Sequence, residues 1–498
     1  MTPRIIIVGA GNAALCAALS ACEQGAEVTV LERAPEALRG GNSRFTAGAM
    51  RVAYDGADDL VRLIPELTSD ELKRVDFGSY SKDSFYDDLA RISEYRCDPD
   101  LAERLADASF PTLLWMRTNG IRFLPMYGRQ SFEVDGKARF WGGLTIEAWG
   151  GGPGLVDNLV RLVEQRGVRI EYTARATSLI TDGPRVVGVV VQRAGIEHRL
   201  EANAVVLASG GFEANPRWRA RYLGPGWDLA KVRGTRFNTG DGIRMALNAG
   251  AAARGHWSGC HAVGWDLNAP EFGDLDIGDG FQKHSYPFGI LVNGAGHRFV
   301  DEGADFRNYT YAKYGREILA QPGQFAWQVF DAKVEHLLRD EYRIRQVTRV
   351  HADTLEELVQ RMENVDAAAF SATVAAFNRA VDVATPFDPT RKDGRAAHGL
   401  AVPKSNWANP LDTPPYSAYA VTCGITFTFG GVHVDADAQV IDEAGEPIPG
   451  LYAAGELVGG LFYFNYPGGS GLTSGAVFGR IAGANAAAHV AGRPTTTV

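Results

Sequence analysis

The side chains that could do chemistry in this 498-residue chain fall in four stretches. "SGCHAVGWD" carries His261, with His256 just before it. "FQKHSYPFGI" carries His284 between Lys283 and Tyr286, and "FVDEGADFRNYTYAKYG" carries Arg307. "LFYFNYPGGSGLTSGAVFGRIAG", at 461–483, sets Tyr466 directly before Pro467, Gly468 and Gly469. Histidine, arginine and tyrosine together suit proton transfer and the binding of a carboxylate or carbonyl. Arg298, in "HRFVDE", reads instead as a structural ion-pair partner for Glu302. The five cysteines, Cys16, Cys22, Cys97, Cys260 and Cys423, are scattered with no C-x-x-C, which argues against iron–sulfur, zinc or attached haem and predicts no metal site.

The N-terminal stretch "RIIIVGAGNAALCAALSACEQGAEVTVLER" predicts strand, glycine turn, helix, turn and strand. Gly9, Gly11 and Ala14 occupy the G-x-G-x-x-G/A positions right after the apolar run Ile5–Val8. Gly9 serves the tight turn, Gly11 the approach of a pyrophosphate, and Ala14 close helix–sheet packing. Asn12 and Ala13 open the helix whose N–H groups would face the phosphates. Glu32, at the end of the second strand, can accept both ribose hydroxyls and would repel a 2′-phosphate; Arg33 follows it. Downstream, "RGGNSRFTAGAM" supplies Gly41, Asn42, Ser43, Ala47 and Gly48, small residues that let the backbone lie against a flat ring. "ANAVVLASGGFEANP" ends a strand in Gly210-Gly211, and "PIPGLYAAGELVGG" ends another before Gly455-Glu456. Three glycine-ended strands so far apart suit a long FAD threaded across a discontinuous domain better than NAD, which one Rossmann unit holds alone.

With "GAGNAA", "GGNS", "VVLASGGF", "NTGDGIRMALNAGA", "LYAAGE" and the closing glycine helix, the chain resembles the fumarate reductase/succinate dehydrogenase flavoproteins from Ile5 to its last helix. Within that family "RGGNSR", "GCHAV", "RFVDEGADF" and "PKSNWANPLDTPPYSAYAV" look most like the FAD-dependent tricarballylate dehydrogenases. The resemblance implies an α/β fold, α+β overall. It comprises a discontinuous Rossmann-like FAD-binding domain, residues 1–240 and 425–498, with an inserted α+β capping domain at 241–424 and hinges near 235–242 and 420–425. It places the turn at Gly469, Ser470, Gly471 and Leu472 under the pyrimidine end of the flavin, where a helix N-terminus would stabilise anionic charge. The covalent members carry a histidine in the stretch here written "RGGNSR"; its absence implies non-covalent FAD. His284 resembles the substrate-binding histidine of fumarate reductases, and Arg307 lies near the place of their arginine proton donor, one residue further from Glu302 than their pattern has. Phe427 and Tyr466-Pro467 stand where those enzymes carry a clamping His and Arg, which argues against fumarate itself. "NYPGGSGL" resembles the Tyr-Pro-Gly element of ketosteroid dehydrogenases, whose tyrosine hydrogen-bonds a substrate carbonyl.

The implied activity is an FAD-dependent dehydrogenase forming C=C beside a carboxylate or carbonyl, tricarballylate to cis-aconitate being favoured. Arg307, Tyr466 and His284 would be catalytic, and His261, Tyr286, Phe427 and Gly469 would contact substrate. The alternatives are an enoate reductase of the same fold, a ketosteroid-dehydrogenase-like oxidation of a cyclic ketone, and a non-catalytic flavoprotein. No second nucleotide fingerprint follows Glu32, so a separate electron acceptor is expected, such as a membrane-associated electron-transfer protein. A net charge of −9 argues against a nucleic-acid partner. With 45% hydrophobic residues but no run of about 18 consecutive apolar ones, and a first strand that begins at once, the expected location is the cytoplasm.

Overall fold

A computed structural model describes residues 2–140 and 143–492. Its first unit is a six-stranded sheet whose middle strands are near-continuous apolar runs, as parallel strands buried on both faces should be. Arg4–Val8 lies between Glu27–Leu31 and Ala204–Leu207, pairing Ile5 with both Val28 and Ala204 in parallel register. Pro447–Ala453 adds beyond Ala204–Leu207, and Arg169–Glu171 beyond Glu27–Leu31. Gln439–Ile441 closes the far edge antiparallel. The parallel strands end at one rim of the sheet, so the residues after them, Gly9, Glu32, Ala208–Gly210 and Ala454–Gly455, are gathered there. That rim is where open α/β sheets bind ligands.

Two helices lie together against this sheet. Asn12–Glu23 follows the glycine turn, and Ser470–Val490 is the long C-terminal helix. The small-residue spacing of the latter is explained by the former rather than by the sheet. A Cβ on Gly479 would sit 2.3 Å from the Ala13 carbonyl oxygen, and one on Gly483 2.1 Å from that of Ala17. Backbone thus approaches backbone along two turns, which only glycine permits. Cys16 is buried between them and its thiol is pushed up to about 12 by burial, so it is a core residue. A three-stranded antiparallel sheet, Arg175–Asp182, Arg185–Arg193 and Ile196–Glu201, joins this unit.

The second unit is built on one 17-residue strand, Tyr416–Val432. It pairs antiparallel with Ala253–Asp266, Phe325–Phe330 and Arg349–Ala352, and parallel with Lys231–Val232. Ile290–Asn293 extends the sheet through Phe325–Phe330. Two helices of this unit, Leu355–Arg361 and Ala367–Ala380, are N-capped by the Thr354 and Asp366 side chains. They bury Leu358, Phe370, Val374 and Phe377 against Val292 and Ala418. Tyr416–Val432 runs unbroken through 420–425, so no loop interrupts the chain where the sequence suggested a hinge. Arg298 meets Glu302 at 2.5 and 3.0 Å, and Glu302 also accepts from the Leu291 N–H at 2.8 Å, so this buried pair ties the connection 294–302 to the strand before it. Among the described residues, no helix is long and apolar enough to cross a membrane.

Candidate active site

One long cleft runs from the glycine rim of the first sheet to the face of the second. At the rim, Gly9 has φ +108° and a Cβ there would meet the Ala208 carbonyl oxygen at 2.4 Å, so the turn itself demands glycine. Gly11 has nothing nearer than 3.5 Å to where a Cβ would stand, which leaves open space over the helix start. Ser43 Oγ accepts from the Asn12 N–H at 3.0 Å, while Asn12 Nδ2 donates to the Leu472 carbonyl at 2.8 Å, joining the N-terminal turn to the start of the last helix. Glu32 accepts from the N–H groups of Ala10 and Ala34 at 2.9 and 2.7 Å. Burial nevertheless raises its carboxyl above the ordinary range.

Most of the expected cofactor residues line this cleft: Gly9, Gly11, Asn12, Ala13, Glu32 and Arg33 at the first turn, Gly41, Asn42, Ser43 and Ala47 at the second. Gly210, Gly455, Glu456, Gly471 and Leu472 line it further along. Three others act behind it. Gly48, φ +75°, lets the chain pass Gly151, whose carbonyl carbon would lie 2.7 Å from a Cβ. Gly211 makes room for Glu456, whose Oε1 would be 2.1 Å from a Cβ. Ser470 is buried with its hydroxyl donating to the Pro467 carbonyl at 2.5 Å, so it fastens the turn. Arg33 pairs with Asp241 at 3.0 Å.

Residues that the motifs do not mark complete this end. Asn238 Nδ2 donates to Glu213 at 2.7 Å and stands 3.4 Å from Glu456, bringing two buried carboxyls onto one amide. Burial, and then repulsion by Glu456, holds Glu213 well above the usual carboxyl range, so the pair keeps a proton. Arg51 is fully buried and holds the C-terminal turn: its N–H donates to the Gly469 carbonyl at 3.2 Å and its Nε to that of Gly468 at 2.9 Å. Ser209 Oγ, at the end of a core strand and lining the cleft, is buried without a hydrogen-bond partner. Open space over Gly11, an unpartnered hydroxyl at the rim and a helix N-terminus at Ser470 together fit a dinucleotide cofactor.

The other end of the cleft is aromatic. His261 lies on Ala253–Asp266 opposite Phe427, where the register shifts between His261 and Ala262. Such a bulge re-aims a side chain. Its ring stands 4.9 Å from Tyr311, 4.7 Å from Tyr466 and 5.2 Å from Phe427, and both of its nitrogens are buried without a partner. Burial first, and Arg233 second, hold its imidazole well below its ordinary value, so it is neutral. The Tyr311 and Tyr466 hydroxyls bond each other, and burial raises both so that they stay protonated. His284, also neutral by burial and by the nearby Arg307, turns Nδ1 toward Arg307 Nη1 at 3.5 Å and leaves Nε2 unpartnered. Arg307 Nη2 donates to the Arg129 carbonyl at 3.2 Å.

Arg307, His284, His261, Tyr466, Phe427 and Gly469 thus share one chamber. Tyr286 does not: its hydroxyl meets Thr310 Oγ1 at 2.6 Å and its ring packs on Tyr314 at 4.8 Å, outside the cleft lining. Its place in sequence beside His284 was misleading because the short 3-10 turn Tyr286–Phe288 directs it away. Lys283 is likewise buried, its ammonium on the carbonyls of Gly280, Phe281 and Gln282. Conversely, Tyr311, Arg233, Arg129 and Asp279 line the chamber without any motif announcing them. Arg129 grips Asp279 at 2.6 and 3.0 Å across 150 positions of sequence, a contact that spacing cannot reveal. Tyr311 follows Arg307 closely enough that "FRNYTY" was its one local signal.

Residues 4–472 match the family model described as FAD binding domain. Over 98% of this chain and 75% of its own length, Probable fumarate reductase Ifc3 of Shewanella frigidimarina is 30% identical. 4-Oxocyclohexanecarboxylate 2-dehydrogenase of Sinomonas cyclohexanicum is 29% identical over 99% of this chain and 94% of its own. The solved open conformation of a flavocytochrome c3 fumarate reductase superposes with TM-score 0.72 at 27% identity, covering 98% of this chain and 78% of that one. The chain belongs to the FAD-binding flavoproteins of the fumarate reductase family and is a flavin-dependent oxidoreductase acting on CH–CH or C=C groups.

Proposed function

We propose that the protein interconverts CH–CH and C=C beside a carbonyl in a small oxo acid, a substrate with one carboxylate and one ketone. The observation that carries this reading is the Tyr311–Tyr466 hydroxyl pair facing neutral His261 within aromatic walls, with Arg307 against Tyr311 in the same chamber. FAD, when bound, supplies the two-electron chemistry. Tyr466 would donate to the ketone oxygen, which acidifies the neighbouring C–H by stabilising enolate-like charge. His261, neutral and with open nitrogens, would take the proton in oxidation and return it in reduction. Arg307 would bind the carboxylate, with His284 Nε2 offered to the same group. Asn12, Ser43, Glu32, Glu456 and the turn 468–472 would hold the cofactor, non-covalently because 39–50 contains no histidine.

Tricarballylate, favoured by the sequence, fits less well. It brings three carboxylates, whereas Asp279 lies 2.6 Å from Arg129 and 3.9 Å from Arg233, so two of the chamber's guanidiniums already share a carboxylate. The relative named for 4-oxocyclohexanecarboxylate has the substrate chemistry proposed here. The same residues serve the reductive direction, the enoate reductase reading. Electrons would go to or come from a separate acceptor.

The test is anaerobic bleaching of the yellow holoenzyme by tricarballylate, succinate, citrate, cyclohexanone and 4-oxocyclohexanecarboxylate. Bleaching by the oxo acid above all others is the expected result. Bleaching by tricarballylate alone would overturn it. Acid precipitation should release the flavin into the supernatant.

A further inference from the structure

A second cavity abuts the chamber, and Arg129, His284 and Arg307 line both. These three side chains are therefore the wall between the two spaces. On its far side the cavity is lined by Arg339, Phe288 and Trp407, among others. Nothing in the proposed chemistry uses it.

Arg129 is paired with Asp279 at 2.6 Å, and Arg343 with Asp340 at 3.4 Å. Arg339 stands near Arg307, with the buried Glu341 opposing the two. Burial, and then repulsion by Arg307, push the Arg339 guanidinium well below its ordinary value, with Glu341 only partly offsetting them. Arg339 Nη1 is buried with no hydrogen-bond partner, and so is Glu341 Oε1. A guanidinium held against like charge with an open N–H is poised for an anion. The cavity is also firmly built. Trp407 sits at φ +55°, a backbone conformation costly for so large a residue. It is fixed there by its N–H on Asp393 at 2.9 Å and its indole on the Asp388 and Arg391 carbonyls at 3.0 and 2.9 Å. Strain of this kind persists where surrounding contacts over-determine it and clusters at ligand clamps.

We propose that this cavity is an antechamber that takes one carboxylate on Arg339 and passes it by the Arg307–His284 wall into the chamber. Its role in turnover rests on the reading above that the substrate is a carboxylic acid; its anion binding does not. Arg339 is thus a positioning residue that governs capture of substrate rather than its conversion.

The holoenzyme is titrated calorimetrically with malonate, wild type against Arg339→Gln. The variant is expected to lose one bound malonate per chain, or to bind it about tenfold more weakly. With whichever acid bleaches the flavin, the variant should show KM raised about tenfold, with the loss in kcat/KM carried by KM. In the wild type, malonate should slow phenylglyoxal labelling of the Arg339 peptide about tenfold, which covers a variant that fails to fold. Equal malonate binding by the two proteins, or labelling of Arg339 that malonate leaves unchanged, overturns the proposal. If no acid in the panel bleaches the flavin, the functional reading fails while the malonate titration still decides the antechamber.

Discussion

Replacing Tyr466 by Phe removes one oxygen and leaves everything else that the ring touches. The ring packs against His261 at 4.7 Å, Phe427 at 5.0 Å and Phe462 at 5.5 Å, and these contacts survive the change. The hydroxyl bonds Tyr311 in a setting where Tyr466 is 7% exposed, so water is not at hand to replace it. Two costs follow. Tyr311 keeps a buried hydroxyl without this partner, which costs about 1–3 kcal/mol of stability. The ketone oxygen loses its donor in the state where charge develops, which costs about 2.7–4 kcal/mol, or 10²–10³-fold in turnover. The assay is anaerobic rapid mixing of the holoenzyme with the bleaching substrate, reading the single-turnover rate of flavin reduction. Tyr466→Phe should retain its FAD, melt slightly lower and reduce about 10²–10³-fold more slowly. Tyr311→Phe should slow it less, and the double variant should lose less than the sum of the two, since contacting hydroxyls are coupled. A single variant that reduces within about threefold of wild type would refute the role of Tyr466 as donor to the transition state.

Gly479→Val drives side-chain atoms into the Ala13 carbonyl, so it should destabilise the chain by at least the roughly 1–3 kcal/mol typical of overpacking and release FAD, read as flavin fluorescence in the filtrate. His261 and His284 are both held neutral below their ordinary value, so the unfolded chain binds protons that the folded one refuses. Their contribution is intact above the unfolded imidazole range and is lost as pH falls through it; the melting temperature should drop from pH 7 to pH 5, and His261→Asn with His284→Asn should flatten that limb. Glu213 runs the other way, its folded carboxyl being raised, so its stabilisation is present at low pH and lost as pH rises through the folded value. Glu213→Gln mimics the protonated form and should keep FAD affinity and melting temperature constant over the rise in pH through which the wild type declines.

What the sequence revealed and what it hid divide along a physical line. A dinucleotide rim is made of backbone, and backbone conformation leaves its mark on residue type: Gly9 at φ +108° and the approach of Gly479 to Ala13 tolerate no substitute, so glycine spacing showed them directly. The carboxylate at Glu32 was legible for the same reason, being fixed by where a short strand ends. The chamber is made of side chains from strands and turns that meet only on folding. His261 faces the cleft beside a bulge, Tyr286 turns away one turn after His284, and Arg129 reaches Asp279 across 150 positions. None of these follows from periodicity, because a bulge shifts the alternation on which facing is judged. Charge balance was hidden most completely. Arg129 and Arg233 line the chamber unannounced by any motif, and both stand on Asp279, at 2.6 and 3.9 Å. Selectivity in this chamber therefore turns less on how many cations line it than on which of them are already matched. On the proposed reading, Arg307 beside two protonated tyrosines would select one carboxylate and one carbonyl, a pairing that neither residue type alone would specify.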